Sequence, residues 1–295
     1  MSTITIFTAP KAFTDPHINI IQRNAILSWK DLGPRAEVIL IGDEEGMSEV
    51  ASELDVRQLP DVARNEMGTP LVNSIFNLAR DAASHQIMIY LNADIILLPN
   101  CLSIVDQICR LEKDFLLVGH RWDLDITEAM DFPKNWADPI TERVNREGRK
   151  RAERAMDYFI FPRHLFQDIP PFAIGRAGWD NWMIYHATQQ AWPVIDITPS
   201  HRVVHQNHDY RHLPDGKAHY DLEESHQNVA LAGWTMATYD LLDVPLVFQA
   251  GKIKRKPITL PRVLRKLERT VMPEEQEGWR WQITRILRKM RRRIS

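Results

Sequence analysis

Apolar and polar positions alternate in blocks along the first two thirds of the chain. Ile4 to Thr8 reads as a strand, and Ile18, Ile21, Ala25 and Trp29 then recur at helical spacing. Glu37 to Ile41 is a nearly continuous apolar run, as expected of a strand covered on both faces, and it stops at the turn Gly42-Asp43. Thr69-Pro70 predicts a helix start, a capping residue followed by proline at the first helical position. Leu71, Val72, Ile75, Phe76, Ala79, Ala82 and Ala83 would form its buried stripe. A second buried-type strand, Ile87 to Leu91, precedes a helix over about 100 to 111, and Phe115 to Gly119 is another strand. Strands alternating with helices predict an α/β fold with a doubly wound, mostly parallel sheet.

The second half is less regular. Arg121 to Lys150, rich in Trp, Asp, Pro and Arg, reads as a long loop with one helix. Tyr158 to Phe161 is a strand, 168 to 178 a loop, Trp179 to Gln190 a helix, and Val194 to Ile197 and Val203-Val204 short strands. No internal repeat and no window of 18 uncharged apolar residues occurs, which excludes a transmembrane helix.

Composition adds little until it is divided. The chain has 295 residues, 44% apolar and 26% charged, and a formal charge of −2. From Gly251 onward there are 15 Lys and Arg against four Glu, which leaves −13 on the first 250 residues. Two units are therefore expected: an α/β domain over 1–250 and a basic amphipathic helical extension over 251–295. In the extension Trp279, Ile283, Ile286, Leu287, Met290 and Ile294 share one helical face while seven Arg and Lys occupy the rest, a pattern suited to an anionic membrane surface or to packing on the domain. No nucleic-acid recognition module accompanies these cations. Cys101 and Cys109 lack zinc-finger or CxxC spacing, and reduced thiols with no basic, long-apolar leader suit the cytoplasm.

Three segments carry candidate chemistry. In Leu91-Asn92-Ala93-Asp94-Ile95 an apolar strand runs into a polar triplet. Ligands in open α/β sheets sit beyond the carboxyl ends of strands, so Asp94 is placed either to hold a hard cation or to cap the next helix. His201, His205, His208 and His212 fall within twelve residues, after two β-like runs; they suit a metal site with Asp94 or a polar surface loop. In Gly175-Arg176-Ala177-Gly178-Trp179-Asp180-Asn181-Trp182 the glycines permit close approach and Arg176 can pair with phosphate. Asp180 could act as general base or cap the helix, and the two Trp could face sugar rings or lie in the core. No HExxH, GxxxxGK[ST], GxGxxG or GxSxG is present.

Taken in order, these segments resemble the GT-A glycosyltransferases, over roughly residues 3 to 215, and in particular a bacterial branch with Asn-Ala-Asp-Ile, Arg-Trp-Asp and His-Gln-Asn-His-Asp-Tyr segments. The resemblance implies a single Rossmann-like GT-A domain that transfers a sugar from a nucleotide diphosphate sugar, with a UDP-sugar favoured, to a hydroxyl of a glycan or lipid-linked acceptor. It implies Mn²⁺ or Mg²⁺ on Asp94, the match to the last carboxylate of the family's DxD motif, with His205 or alternatively His208 as the second ligand. It makes Asp180 the base of an inverting reaction, and sets Thr8, Ala9, Pro10 and Asp43 against the nucleoside. Arg121, Trp122 and Asp123 lie where donor sugar or acceptor would be touched. The sequence departs from DxD at Asn92, which accepts from a hydroxyl or holds a metal-bound water but brings no charge. That departure keeps open a domain that only binds nucleotide sugar. Lys11 in Thr8 to Phe13, without a glycine, offers weaker support for a pyrophosphorylase or hydrolase.

Overall fold

The computed structural model describes residues 1–208, 222–233, 239–273 and 277–294. It is a mixed α/β structure organised by two sheets. Seven strands of the larger sheet run parallel: β1 (Ile4–Thr8), β2 (Ala36–Ile41), β3 (Arg57–Leu59), β4 (Ile87–Leu91), β6 (Leu116–Val118), β10 (Val194–Asp196) and β12 (Leu246–Gln249). Two run against them, β9 (Tyr158–Pro162) and β13 (Lys252–Arg255). The order is β13-β12-β10-β6-β9-β4-β1-β2-β3. β9 thus stands between β4 and β6, a reversal that the strand–helix alternation does not announce.

Strand periodicity distributes the core over both faces. In β4, Met88 and Tyr90 pack under α3 (Val72–Ala82) and α6 (Trp179–Gln189). Ile87, Ile89 and Leu91 pack under α1 (Pro16–Lys30), α2 (Met47–Glu53) and α4 (Cys101–Ile108). Helices on both faces explain the unbroken apolar strands. α3 begins later than Thr69-Pro70 predicts, because Pro70 bridges Arg64 and Leu71 bridges Ala173 in extended pairs before the helix can start. The working cap is at α1, where the Asp15 carboxylate accepts from the amides of His17 and Ile18.

The smaller sheet lies within segments that the sequence reads largely as loop. β5 (Ile95–Leu97), β11 (Val203–Gln206), β7 (Arg121–Leu124) and β8 (Arg149–Lys150) pair in that order. α5 (Ala137–Glu147) covers it through Ile140 and Val144, beside Trp136 and Leu124. α1 supports it from the other side: Trp29 Nε1 donates to the Ile95 carbonyl at 2.9 Å, and Asn24 Nδ2 to Gln206 Oε1 at 3.0 Å. Between the sheets, Gly119 joins β6 to β7 where a Cβ would lie 2.2 Å from the Tyr158 hydroxyl, so a side chain there would displace the ring.

After α7 (Glu223–Leu231), β12 and β13 form a hairpin whose turn includes Gly251, so residues on both sides of position 250 share the large sheet. Two helices follow, α8 (Leu260–Val271) and α9 (Gly278–Arg292), packed on one another. Among the described residues no helix is long and apolar enough to cross a membrane.

Candidate functional site

The small sheet gathers the site by register. His205 on β11 lies opposite Ile95 of β5 and beside Asp123 of β7, and Asp94 directly precedes β5. The side chains follow the backbone. His208 Nε2 stands 3.1 Å and His205 Nε2 3.6 Å from Asp94 Oδ2, and His205 Nδ1 is 3.3 Å from Asp123 Oδ1. One ligand atom from each of Asp94, His205 and His208 falls within 4.8 Å of the others. Ligands of one small divalent cation sit about 3–4 Å apart, so slight closure would seat an ion. Asp94 Oδ1 is buried and has no hydrogen-bond partner, a spare oxygen where a cation would use one. Two imidazoles and a carboxylate therefore fit a divalent cation. His201 is directed elsewhere: its Nδ1 lies 2.7 Å from Asn100 Oδ1. His212 and Tyr210 fall outside the described residues.

Electrostatics reinforce the arrangement. Burial alone would push the Asp94 carboxyl up, but His205, His208 and Arg121 outweigh it and hold the group ionised, well below the usual carboxylate range. Burial opposes the charge on His205, yet Asp94 and Asp123 raise its pKa. Asp94 is thus an ionised oxygen beside two imidazoles, and the neighbouring carboxylates bias His205 toward its charged form.

A carboxylate missed in the sequence organises the second layer. Asp157 accepts from Asn92 Nδ2 at 2.7 Å and from Arg121 Nη1 at 2.7 Å, and its carbonyl accepts from the Asn92 amide. Tyr90 Oη donates to Asn92 Oδ1 at 2.9 Å. Position 92 thus donates to a carboxylate and accepts from a phenol at once, which an ionised aspartate could not do. That accounts for asparagine rather than aspartate at this position. The only sequence signal for Asp157 is a charge directly before an all-apolar strand; the antiparallel pairing of Leu91 with Tyr158 brings it alongside Asn92.

Asp180, in the first turn of α6, belongs to the same neighbourhood, since it and Asp157 both act on Tyr90. Burial pushes the Asp180 carboxyl up to about 7; backbone amides oppose the rise and Asp157 adds to it. Its Oδ1 is buried without a partner. The flanking Trp179 and Trp182 are core residues, 5% and 7% exposed; Trp179 packs on Tyr90 and Phe159, and Trp182 stacks on His186. They offer no platform for a sugar.

The remaining candidates divide. Thr8 ends β1 with a buried, unpartnered hydroxyl, followed by half-buried Ala9 and buried Pro10. Lys11 feels the charges of both Asp94 and Arg176, which places it near both. Arg176 itself is engaged, its Nε 2.6 Å from buried Glu224. Arg121 bridges Asp157 and Asp123, and Asp123 also meets Arg151 at 3.0 Å. Asp43 lies out on the surface, ion-paired with Arg64.

No protein-family model and no curated protein matches the chain. Among solved structures it is similar to glucosyl-3-phosphoglycerate synthase of Mycobacterium tuberculosis, at 16% identity and TM-score 0.49 over 88% of this chain and 89% of that one. That enzyme has also been solved with Mn²⁺, UDP and glucosyl-3-phosphoglycerate. A nucleotide-diphospho-sugar transferase from Desulfovibrio desulfuricans G20, described as putative, is similar at 10% identity and TM-score 0.45 over 79% and 97%. Likenesses this distant assign no function.

Proposed function

We propose that this chain is a metal-dependent glycosyltransferase of the GT-A kind, moving a hexose from a nucleotide diphosphate sugar, with UDP as the favoured nucleotide, to a hydroxyl acceptor. The observation that carries the reading is the Asp94–His205–His208 cluster at the carboxyl end of β4, where open α/β sheets receive their ligands. A divalent cation held there would offset negative charge on a departing diphosphate. Asp123 orients His205 through its other ring nitrogen, the support that metal-binding imidazoles commonly have.

Asp180 is the proton acceptor in this reading. A carboxyl titrating near 7 is matched to a general base at neutral pH. It takes the proton of the acceptor hydroxyl while that oxygen bonds the anomeric carbon and the sugar–phosphate bond breaks. Thr8, Ala9 and Pro10 at the end of β1 are the proposed nucleoside contacts, and Lys11 adds a cation beside Asp94. Arg121 and Asp123 act here mainly by holding Asp157 and His205 in place. A glycan or lipid-linked hydroxyl is the acceptor class, and the cytoplasm the site of action.

Thermal shift and titration calorimetry against UDP-, GDP- and dTDP-sugars, with and without Mn²⁺, test the proposal. A saturating donor at a hundred times its Kd stabilises by about 2.7 kcal/mol, and the shift is expected for UDP-sugars only when Mn²⁺ is present. Binding without turnover would leave a nucleotide-sugar-binding domain. Tight Fe²⁺ binding with no response to any nucleotide sugar would overturn the proposal, since two imidazoles and a carboxylate also suit non-haem iron.

A further inference from the structure

The C-terminal helix pair turns its charge inward and its apolar side chains outward. Glu268 of α8 is fully buried, with Arg288 Nε at 2.8 Å and Arg291 Nε at 3.0 Å from α9. Arg265 joins it at 3.5 Å and continues to Asp243 at 2.7 Å. Meanwhile Leu260, Val263 and Leu267 of α8, and Trp279, Ile283, Ile286 and Met290 of α9, are all at least 38% exposed. Single exposed apolar residues are ordinary, but seven on two adjoining helices form a patch that has a purpose.

The two stripes face one way. Arg280 reaches the Val271 carbonyl and Arg288 and Arg291 reach Glu268, so the helices run antiparallel. At 3.6 residues per turn the exposed apolar positions lie roughly 110° round each helix from the residues that face the other helix, in the same rotational sense. In an antiparallel pair this brings both stripes to one side. The opposite side holds the domain, through Arg262 on the Leu242 and Val244 carbonyls and Arg265 on Asp243.

We infer that this outward face of α8 and α9 docks the protein on an anionic lipid bilayer. Charge complementarity selects the occupant. α9 contains no acidic residue, and Lys266, Arg280, Arg285, Lys289, Arg292 and Arg293 are exposed about the patch. Trp279 at one end supplies the ring that favours a membrane interface. A second copy meeting the same face across a two-fold axis would set these cations against themselves. On the domain side of the helix pair a cavity of ≈ 340 Å³ is lined by Lys150, Arg151, Arg154, Arg291 and Arg292 against Glu153 and Asp240.

Co-sedimentation of the full chain with vesicles of phosphatidylglycerol and phosphatidylcholine, against phosphatidylcholine alone, tests the docking face independently of catalysis. Binding is expected only to the anionic vesicles and is weakened by high salt. Lys289→Glu with Arg293→Glu removes two cations and is expected to lower partitioning by about thirtyfold or more. Ile286→Asp with Met290→Asp is expected to abolish it; both side chains are exposed, and an unchanged melting curve will show that the fold is kept. The inference is overturned if the parent chain ignores anionic vesicles at low salt, or if the Ile286→Asp, Met290→Asp variant binds them equally well. A concentration-dependent dimer that this variant dissolves, without vesicle binding by the parent, overturns it in favour of a second copy.

Discussion

Two of the buried charge clusters among the described residues are finished differently. Around Glu268 each carboxylate faces a guanidinium: Glu268 meets three arginines, Asp243 meets Arg265, and Asp240 lies within 4 Å of Arg265 and Arg291. Around Asp94 the partners are histidines, and oxygens of Asp94 and Asp180 are buried without a hydrogen bond. A closed network holds helices in register. An open one retains unspent donor and acceptor capacity, which is costly in a folded protein and is usually retained for a ligand.

Breaking the open cluster should remove function and spare the fold. Asp94→Ala is expected to abolish Mn²⁺-dependent donor binding in calorimetry while the protein still folds, with a lower melting temperature because Arg121 and His205 lose an anionic neighbour. A variant that still binds donor through Mn²⁺ would show that the cluster is not the cation site. Asp180→Asn should retain donor binding and lose transfer by roughly two to four orders of magnitude, measured as product formation at saturating donor.

The same variant sharpens the comparison through pH. The folded pKa of Asp180, about 7, is raised above its unfolded value near 3.9, so the protein favours the neutral acid. Relative to Asp180→Asn, the parent keeps its stability below about pH 4, loses it progressively up to 7, and stays lower above that. The difference reaches roughly 4 kcal/mol at most. Melting curves of the two proteins that stay parallel from pH 4 to 8 would show that Asp180 is not held in a charge-averse site.

In the closed cluster the signs reverse. Glu268→Ala strands three arginines and should destabilise by about 3–5 kcal/mol in urea unfolding, with Mn²⁺ affinity unchanged per folded molecule. The smallest effect is expected at the surface pair: Arg64→Ala should cost about 1 kcal/mol or less, since its partner Asp43 is mostly in water.

Much of this was legible in the sequence where a pattern is local. β1, β2, β4 and α1 follow from apolar periodicity, and Asp94 from its place at a strand end. What escaped depends on pairing between distant segments. β7 and β8 are short and polar, with Arg, Asp and Lys; β7 exists because β11 lies beside it, and β8 because β7 does. Asp157 carries no motif; only the antiparallel entry of β9 makes it a neighbour of Asn92. Arg176 read as a phosphate ligand because Glu224, 48 residues away, is its partner only in space. The tail's stripe was visible in α9 alone, whereas the inward charge network and the matching stripe of α8 needed the helix pair.

The reversed strand β9 also bears on how the chain is made. β4 and β6 do not pair with each other; β9 stands between them, so the two sides of the sheet join only when Tyr158–Pro162 is inserted. A nascent chain ending before Tyr158 would leave one edge of β4 and both edges of β6 unpaired, since β10 follows later, and apolar strand edges are ready templates for aggregation. Closing the centre also requires β4 to meet β9 across residues 92 to 157, and such non-local pairing is slow. Asp157 arrives with that same strand. The step that seals the sheet therefore also delivers the carboxylate on which Asn92 and Arg121 depend, and a half-folded nascent chain has no assembled site with which to capture a ligand.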